Sequence, residues 1–216
     1  MSANGGNSDD PIGTRDRRRT TRSHAAILAA TTALLTEVGY SHLTIEGIAA
    51  RARVGKATVY RWWPSKGALA IDAISRDLTV PAATVTGDVR QDLLAAIRRT
   101  IHILASSPVG AVIPALTADL VHDPALAQQF REEILRPRRS VVIDVLHHAV
   151  DRGELPANLD VELLMDIYVG AVFYRVVVSG EPVTDTLAEQ LVGLILDGRQ
   201  PVKPPRDEGP RAADDS

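Results

Sequence analysis

Apolar residues recur at intervals of three and four positions along most of this chain, and that spacing predicts α-helices. No stretch combines sustained apolar and polar alternation with β-branched residues and hairpin turns, as strands would. With 216 residues and 45% apolar content, the chain is long enough to bury a substantial core. We therefore expect an all-α fold. Residues 1–13 and 199–216 lack the periodicity, and we expect both ends to be disordered.

The first third of the pattern predicts three helices and the start of a fourth. The first helix is expected from Arg22 or Ser23 to just before Gly39, a residue type that commonly ends helices. Thr44 stands where the second helix needs an N-cap, and Ser65 stands in the same place for the fourth. The expected inward-facing residues of the first three helices are Ile27, Ala30, Thr31, Leu34, Leu35 and Val38, then Ile45, Ile48 and Ala49, then Val59 and Trp63.

The third helix carries polar and charged side chains on the faces that its apolar pair leaves free. These residues are Lys56, Thr58, Tyr60 and Arg61. A short helix with a cation, a hydroxyl, a phenol and a guanidinium on its outer faces can enter a major groove, read base edges and hold flanking phosphates. Two short helices joined by a tight turn therefore predict a helix-turn-helix.

The charge distribution separates this segment from the rest of the chain. Residues 14–66 hold ten Lys and Arg against three acids, although the whole chain has a net charge of −3. Residues 67–216 hold 14 Lys and Arg against 22 acids. Basic residues supply the salt-dependent attraction to DNA phosphates, so only the first third is expected to bind nucleic acid.

The helix-turn-helix segment resembles the DNA-binding domain of TetR/AcrR-type transcriptional regulators over roughly residues 20–72. That resemblance implies a homodimer with a C-terminal ligand-binding domain, which represses transcription until an effector binds. We expect a DNA-binding domain over residues 14–66 and a larger helical effector-binding and dimerisation domain over residues 67–198. The positions that carry the resemblance are Thr44, Ile48, Ala49, Ala52, Val54, Tyr60, Trp63 and Lys66.

The resemblance assigns DNA contacts residue by residue. Tyr60 and Lys66 are expected to contact phosphates, and Thr44 the backbone at a helix start. Lys56, Thr58 and Arg61 are expected to contact bases or nearby phosphates. The alternative for Lys56 and Arg61 is that they only face solvent and contact no DNA. The full set of expected DNA-binding residues is Thr44, Arg53, Lys56, Thr58, Tyr60, Arg61, Trp62 and Lys66.

Several residues near the motif leave alternatives open. The family commonly has glycine where this chain has Arg53, so a positive φ there would strain the turn by about 1 kcal/mol. Trp62 stacks on sugar-phosphate or covers the first helix, whereas Trp63 is expected in the core. The arginines of residues 15–19 form either a minor-groove arm or a basic leader, and non-specific phosphate attraction is favoured.

The C-terminal region offers a weaker prediction of an effector pocket among its middle helices. Pro137 lies inside one of them and should kink or split it, and Gly153 should end it. Apolar residues at helical spacing are more often plain core than cavity, and a histidine among them is more often a satisfied interior side chain. The candidate pocket residues are His102, Ile113, Leu116, Leu120, Val142 and Leu146.

The last two predicted helices, over residues 160–179 and 184–196, are apolar on more than one side. This surplus predicts a second buried surface, in which two helices from each of two chains form a four-helix dimer interface. The alternative is a helix pair buried within one chain. The expected interface residues are Leu164, Ile167, Val172, Leu187, Leu191, Leu194 and Ile195.

Other functions have little support in the sequence. The chain contains no cysteine, and its adjacent His147 and His148 cannot act as an i, i+4 ligand pair, so we expect no metal and no cofactor. None of the common hydrolase, phosphate-binding, dinucleotide-binding or zinc-protease motifs occurs, so an enzyme is not expected. We expect a cytoplasmic protein without a membrane partner. The remaining alternative is a non-specific architectural DNA-binding protein.

Overall fold

The computed structural model describes residues 11–78 and 86–198, and every regular element in these ranges is a helix. The all-α prediction is therefore confirmed. The α-helices are α1 (Pro11–Val38), α2 (Ile45–Ala52), α3 (Lys56–Tyr60), α4 (Lys66–Asp77), α5 (Val89–Ile101), α6 (Pro108–His122), α7 (Pro124–Phe130), α8 (Arg136–Asp151), α9 (Val161–Tyr174) and α10 (Asp185–Asp197). Three π-helical segments follow α5, α7 and α9, and they comprise His102–Ser106, Arg131–Leu135 and Arg175–Ser179.

The first helix is longer than its apolar pattern predicts. It begins at Pro11 rather than near Arg22 or Ser23, and it includes residues 11–13, which the sequence assigns to the N-terminal tail. Proline is well tolerated in the first turn of a helix, where its missing N–H has no partner to lose. The helix ends as predicted before Gly39, whose φ is +72°. The expected tails at residues 1–10 and 199–216 lie outside the described residues.

The described chain divides into two compact units, and the first combines residues 11–78 with residues 102–142. In this unit α1 packs against α2 and α4, and α4 packs against α7. Ile27, Ile48, Val59 and Leu69 are fully buried where these helices meet. Val38, expected on the inner side of α1, is 44% exposed because it lies in the last turn of the helix. The helix-turn-helix thus has a continuous core of its own.

A close contact joins α4 to α7 inside this unit. A Cβ added to Gly67 would lie 2.8 Å from Leu126 Cδ2 and 3.1 Å from the Tyr40 hydroxyl oxygen. That hydroxyl donates a hydrogen bond to the carboxylate of Asp119 on α6. Burial is the main reason that the pKa of Tyr40 is raised well above its usual range, and Asp119 adds to the shift. The absence of a side chain at Gly67 therefore permits the close packing of α4 on α7.

The helical segment around Pro137 is not split, which was one of the two outcomes expected from the sequence, and a π-helical turn lies before the proline instead. The π-helical segment Arg131–Leu135 precedes it, and α8 continues beyond it. The guanidinium of Arg138 donates to the carbonyl oxygens of Glu133, at 3.4 Å, and Ile134. It also donates to the carbonyl of Leu78, just after α4, at 2.7 Å. Arg138 thereby satisfies carbonyl groups near the proline, which has no N–H to donate.

The second compact unit combines residues 84–101 with residues 143–216, within the described ranges. It consists of α5, the C-terminal part of α8, α9 and α10, and α5 packs against both α9 and α10. Leu93, Ile97, Met165 and Tyr168 are fully buried in it. At its surface Arg98 donates to both carboxylate oxygens of Asp185, at 2.9 and 3.1 Å. This unit contains both helices with the predicted surplus of apolar residues.

Candidate nucleic-acid interface

The turn between α2 and α3 is built from local hydrogen bonds. Thr44 caps α2 as predicted, because its hydroxyl accepts a hydrogen bond from the N–H of Gly47 at 3.1 Å. The helix ends at Ala52, and its C-cap Arg53 is left-handed, with φ of +56° and ψ of +45°. The N–H of Arg53 donates to the carbonyl of Ala50 at 3.2 Å. Gly55 is the N-cap of α3 and provides no side-chain hydrogen bond. The positive φ considered for Arg53 is thus present in the structure.

Replacing Arg53 by glycine is expected to raise the free energy of unfolding by about 0.5–1 kcal/mol. Glycine avoids the steric penalty of the left-handed conformation, which outweighs its larger entropy loss on folding. The Arg53→Ala variant removes the same charge but keeps the penalty, so it should not gain stability. Urea denaturation of the two variants measures the difference. An equal gain in both would attribute it to the lost charge instead.

The inner face of α3 is anchored by an apolar residue and an aromatic one. Val59 is fully buried and Trp63, just after the helix, is 4% exposed. The indole N–H of Trp63 donates to Asp72 on α4 at 3.0 Å, so the core position predicted for Trp63 also satisfies its polar atom. These contacts fix the rotation of α3 about its own axis.

The remaining faces of α3 present the predicted recognition residues to solvent. Lys56, Tyr60 and Arg61 are exposed, Tyr60 by 53% of its surface, and Thr58 is half-buried. On α2 the N-cap Thr44 is exposed, as is Arg53 in the turn. These six side chains provide hydroxyl, ammonium and guanidinium donors around one short helix, which is the chemistry that phosphates and base edges accept.

Trp62 was expected either to stack on sugar-phosphate or to cover the first helix, and its position is compatible with both. It is 41% exposed, and its ring meets the ring of His24 on α1 edge-on, with centroids 4.9 Å apart. The same His24 ring lies 4.7 Å from that of Trp63. Trp62 thus contacts the first helix and still exposes a large part of its ring. His24 was missed from the sequence because its partners lie almost forty positions away.

The side chain of Lys66 is held in place by contacts within the protein and does not stand free in solvent. It is half-buried at the first residue of α4, and its Nζ lies 4.7 Å from the centroid of the Tyr40 ring. Nζ also donates to the carbonyl of Tyr40 at 3.4 Å. Ser65 caps this helix as predicted, because its hydroxyl accepts from the N–H of Ala68 at 3.1 Å. The ammonium of Lys66 is therefore positioned by Tyr40, two residues after the end of α1.

Two ion pairs between helices hold the side chains of Lys56 and Arg51 in place, and the sequence indicates neither pair. Lys56 Nζ donates to Glu46 Oε1 on α2 at 2.8 Å. Arg51 on α2 donates to both carboxylate oxygens of Glu37 on α1, at 2.6 and 2.7 Å. The hydrogen bond from Lys56 lowers the pKa of the Glu46 carboxyl, and the same bond raises the pKa of the Lys56 ammonium.

The six candidate effector residues fall into three environments. Ile113, Leu116, Val142 and Leu146 are buried, Leu120 is half-buried, and His102 is exposed rather than enclosed among apolar side chains. Two open grooves lie elsewhere among the described residues. One of about 520 Å³ borders the start of α5 and the end of α10, and the other, of about 550 Å³, borders α4 and the start of α8. Neither groove is lined by any of the six residues.

The seven candidate interface residues also divide by burial. Ile167 and Leu194 are 47% and 37% exposed, whereas Leu164 and Ile195 are half-buried. Val172, Leu187 and Leu191 are buried by their own chain, so they belong to its core and leave no surface for a partner. Periodicity alone could not separate the inner from the outer apolar side of these helices.

Within residues 11–78 and 86–198, no three His, Asp or Glu side chains lie close enough to hold a metal ion. No single helix in these ranges is long and apolar enough to cross a membrane, and the bent pair Val89–Ser106 and Gly110–His122 reaches the required length only jointly.

Comparison with known proteins places both parts of the chain in one family. Residues 27–73 match the family described as bacterial regulatory proteins, tetR family. Residues 84–195 match the tetracyclin repressor-like C-terminal domain.

Relatives and solved structures agree with these matches. The HTH-type transcriptional regulator YdeS of Bacillus subtilis is 36% identical over 180 residues, which cover 82% of this chain and 90% of YdeS. The DNA-binding transcriptional repressor TetR of Mycobacteroides abscessus is 32% identical over 186 residues, which cover 83% of this chain and 94% of that repressor. The crystal structure of the TetR family transcription regulator SCO0332 matches with a TM-score of 0.67 and 38% identity, over 83% of this chain and 99% of that one. The chain therefore belongs to the TetR family of transcriptional regulators, which bind DNA through an N-terminal helix-turn-helix domain.

Proposed function

We propose that this protein is a homodimeric repressor that binds a palindromic operator and is released from it by a small-molecule effector. One observation carries the sequence-specific part of this proposal. Val59 and Trp63 anchor α3 from inside, so that Lys56, Tyr60 and Arg61 stand exposed on a helix of fixed rotation. A rigid helix with exposed donors can hold base contacts in register, which a mobile basic segment cannot do.

The DNA contacts follow from these positions. Lys56 and Arg61 are assigned to base edges or nearby phosphates, together with Thr58. Tyr60 and Lys66 are assigned to phosphates, and the Tyr40 contacts of Lys66 hold its ammonium in place for that role. The other proposed backbone contacts come from Thr44, Arg53 and Trp62.

A solvent-exposed apolar stripe on α9 supports dimerisation. Leu163, Ile167 and Tyr174 are 55%, 47% and 57% exposed, and their spacing of four and seven positions puts them on one helix face. Leu194 of α10 is also exposed. Exposed apolar stripes of this kind mark protein interfaces. We therefore assign the dimer contact to this face, with Leu164 and Ile195 at its edges.

A charge in the middle of the stripe should separate the chains. The Ile167→Glu variant is expected to be monomeric at concentrations where the wild type is dimeric, because an unpaired carboxylate would be buried at the interface. Sedimentation equilibrium gives the mass of each. The matched control is Val121→Glu, which introduces the same charge at an apolar residue of α6 that is 75% exposed. An unchanged dimer in Ile167→Glu would remove this face from the proposal.

The effector part of the proposal is supported by the family, whose members often respond to ligands. The structures of Bacillus subtilis FadR with stearoyl-CoA and Thermus thermophilus FadR with lauroyl-CoA share this fold at 19% and 20% identity. By analogy, an apolar effector would bind beside Ile113, Leu116, Leu120 or Val142. Because these side chains are largely buried, its binding would have to move them, and that movement would favour a conformation with lower operator affinity.

Selection of bound fragments from a random or genomic DNA pool, at near-physiological salt, tests the proposed function. Enrichment of one palindrome is expected. Salt-sensitive binding without enrichment would instead favour an architectural DNA-binding protein, and the absence of binding would reject DNA recognition by this chain. The selected operator then serves as the probe in a screen for molecules that release the protein.

A further inference from the structure

The basic DNA-binding segment contains an acid where an acid is least expected. Residues 14–66 hold three acids, of which Glu37 and Glu46 have described side chains. Both form interhelical ion pairs. Glu46 pairs with Lys56 at the start of the recognition helix, whereas Glu37 pairs with Arg51 between α1 and α2. A carboxylate close to the DNA surface repels phosphates, so the position of Glu46 calls for a physical explanation.

The geometry of the Glu46 pair places its carboxylate with the recognition residues. Lys56 is the first residue of α3, and the N-terminal residues of a recognition helix contact base edges in the major groove. Glu46 Oε1 lies 2.8 Å from Lys56 Nζ. Their side chains are 63% and 56% exposed, so both keep polar atoms available for another partner. A base reached by Lys56 is therefore within reach of Glu46.

The ion pair itself adds little to stability, because solvent screens it and two long side chains must be held in place. Glu46 also lies in the first turn of α2, where a carboxylate is favourable, but that role does not require Lys56. Both groups are charged at neutral pH, and the lowered pKa of Glu46 and the raised pKa of Lys56 favour these charged forms further. The pair thus presents one donor group and one acceptor group side by side, in fixed order, at the head of α3.

This order is complementary to the major-groove edge of a G·C base pair. Guanine presents two acceptors, N7 and O6, and the N4 amino group of cytosine lies next to O6 as a donor. O6 and N4 are joined by a Watson–Crick hydrogen bond of about 2.9 Å, close to the 2.8 Å that separates Nζ and Oε1. We propose that Glu46 and Lys56 act as one unit that reads a G·C pair in each operator half-site, with Lys56 on guanine and Glu46 on cytosine. This inference rests on the proposed function, because it requires a selected operator.

The hydrogen-bond capacity of the two groups is sufficient for this role. The ammonium of Lys56 has three protons, one of which binds Glu46, leaving two for N7 and O6. Glu46 Oε1 accepts from Lys56, and the backbone N–H of Glu46 also interacts with this carboxylate. A carboxylate has about four acceptor sites, so capacity remains for the N4 amino group.

An A·T pair offers Lys56 one acceptor fewer than a G·C pair does. Across the groove it presents the N7 acceptor, the N6 donor, the O4 acceptor and the thymine methyl group. With Glu46 accepting from N6, Lys56 has either N7 or O4 alone, whereas guanine offers it both N7 and O6. A C·G pair reverses the order, so the ammonium would face the N4 donor and the carboxylate would face the O6 acceptor. The pair should therefore discriminate strongly against C·G and more weakly against A·T.

The decisive experiment compares base preferences selected by the wild type, Glu46→Met and Glu37→Met from one DNA pool. Methionine keeps the side-chain length and helix propensity but removes the carboxylate. We expect Glu46→Met to lose about tenfold of its preference for G·C over C·G at one position of each half-site, since a well-made base contact gives a discrimination of this order. The other positions should keep their preferences. Glu37→Met, which removes the same charge and breaks the Arg51 pair, should keep the wild-type profile.

Each other result has a distinct meaning. Tighter binding of Glu46→Met to all sequences, without a changed base preference, would show that Glu46 only repels phosphates and would overturn the inference alone. An unchanged profile and affinity would do the same. A wild type that enriches no palindrome would overturn the proposed function and this inference together.

Modified bases provide a readout for the Lys56 half of the contact. Replacing the selected guanine by 7-deazaguanine removes N7 and should weaken wild-type binding several-fold, because Lys56 loses an acceptor. The same replacement should have no effect on Lys56→Met, which has no donor to lose. An equal loss in both proteins would assign the contact with N7 to another residue.

Discussion

Replacing both Lys56 and Tyr60 by alanine is expected to weaken operator binding by at least about 100-fold. Each side chain is assigned a contact in both half-sites of the dimer, and a base or phosphate contact contributes about 1–3 kcal/mol. Four lost contacts therefore exceed the roughly 2.7 kcal/mol that corresponds to 100-fold. Both residues are exposed on α3, so their truncation should leave the core around Val59 intact.

Titration of the selected operator by fluorescence anisotropy measures this loss, with Arg131→Ala as the control. Arg131 is an exposed cation of the π-helical segment after α7, so its removal changes the net charge without touching α3. Thermal unfolding of each variant establishes that the domain is folded. A loss of less than tenfold in a folded double variant would show that α3 does not carry the main DNA contacts.

The parts of this domain that sequence could predict are those that depend on neighbouring residues. Thr44 and Ser65 are caps because a hydroxyl at that position reaches an N–H three residues ahead, and Gly39 ends α1 because glycine accepts a positive φ. The burial of Val59 and Trp63 follows from their spacing of four. Such features need only the chain's own periodicity and its local hydrogen bonds.

The features that sequence could not predict depend on residues brought together by the fold. Glu46 and Lys56 are ten positions apart on different helices, and their pairing follows from the angle that the Arg53 turn imposes. The same reason applies to His24, which meets two tryptophans almost forty positions away. Likewise, His102 stands in an apolar segment and is nevertheless exposed, at the first residue of a π-helical segment that the sequence does not predict.

The turn between α5 and α6 gives the second large prediction, since it folds back on itself closely at Gly110. The hydroxyl of Ser107 accepts from the N–H of Gly110 at 3.3 Å and donates to the carbonyl of Ile103 at 2.7 Å. A Cβ built on Gly110 would lie 2.7 Å from the carbonyl oxygen of Ile103 and closer still to that of Leu104. Real Cβ atoms essentially never approach other atoms this closely, and here the obstacle is backbone rather than a side chain that can rotate away.

Gly110→Ala is therefore expected to lower the free energy of unfolding by about 3 kcal/mol, because the start of α6 must move away from the preceding segment. The control is Gly170→Ala, at a helical position of α9 where a Cβ meets nothing of its own chain within 4 Å. That change should raise the free energy of unfolding by about 0.5–1 kcal/mol, since alanine loses less backbone entropy in a helix. Because Gly170 shares a helix face with Ile167, both glycine changes are made in the monomeric Ile167→Glu variant. Urea denaturation then measures both without the contribution that dimerisation makes to apparent stability. A single domain is stable by about 5–15 kcal/mol, so the loss expected for Gly110→Ala is a large fraction of the total. If the same added methyl group destabilises the protein at residue 110 and stabilises it at residue 170, the cause is the backbone contact at Gly110 and not the loss of a glycine as such.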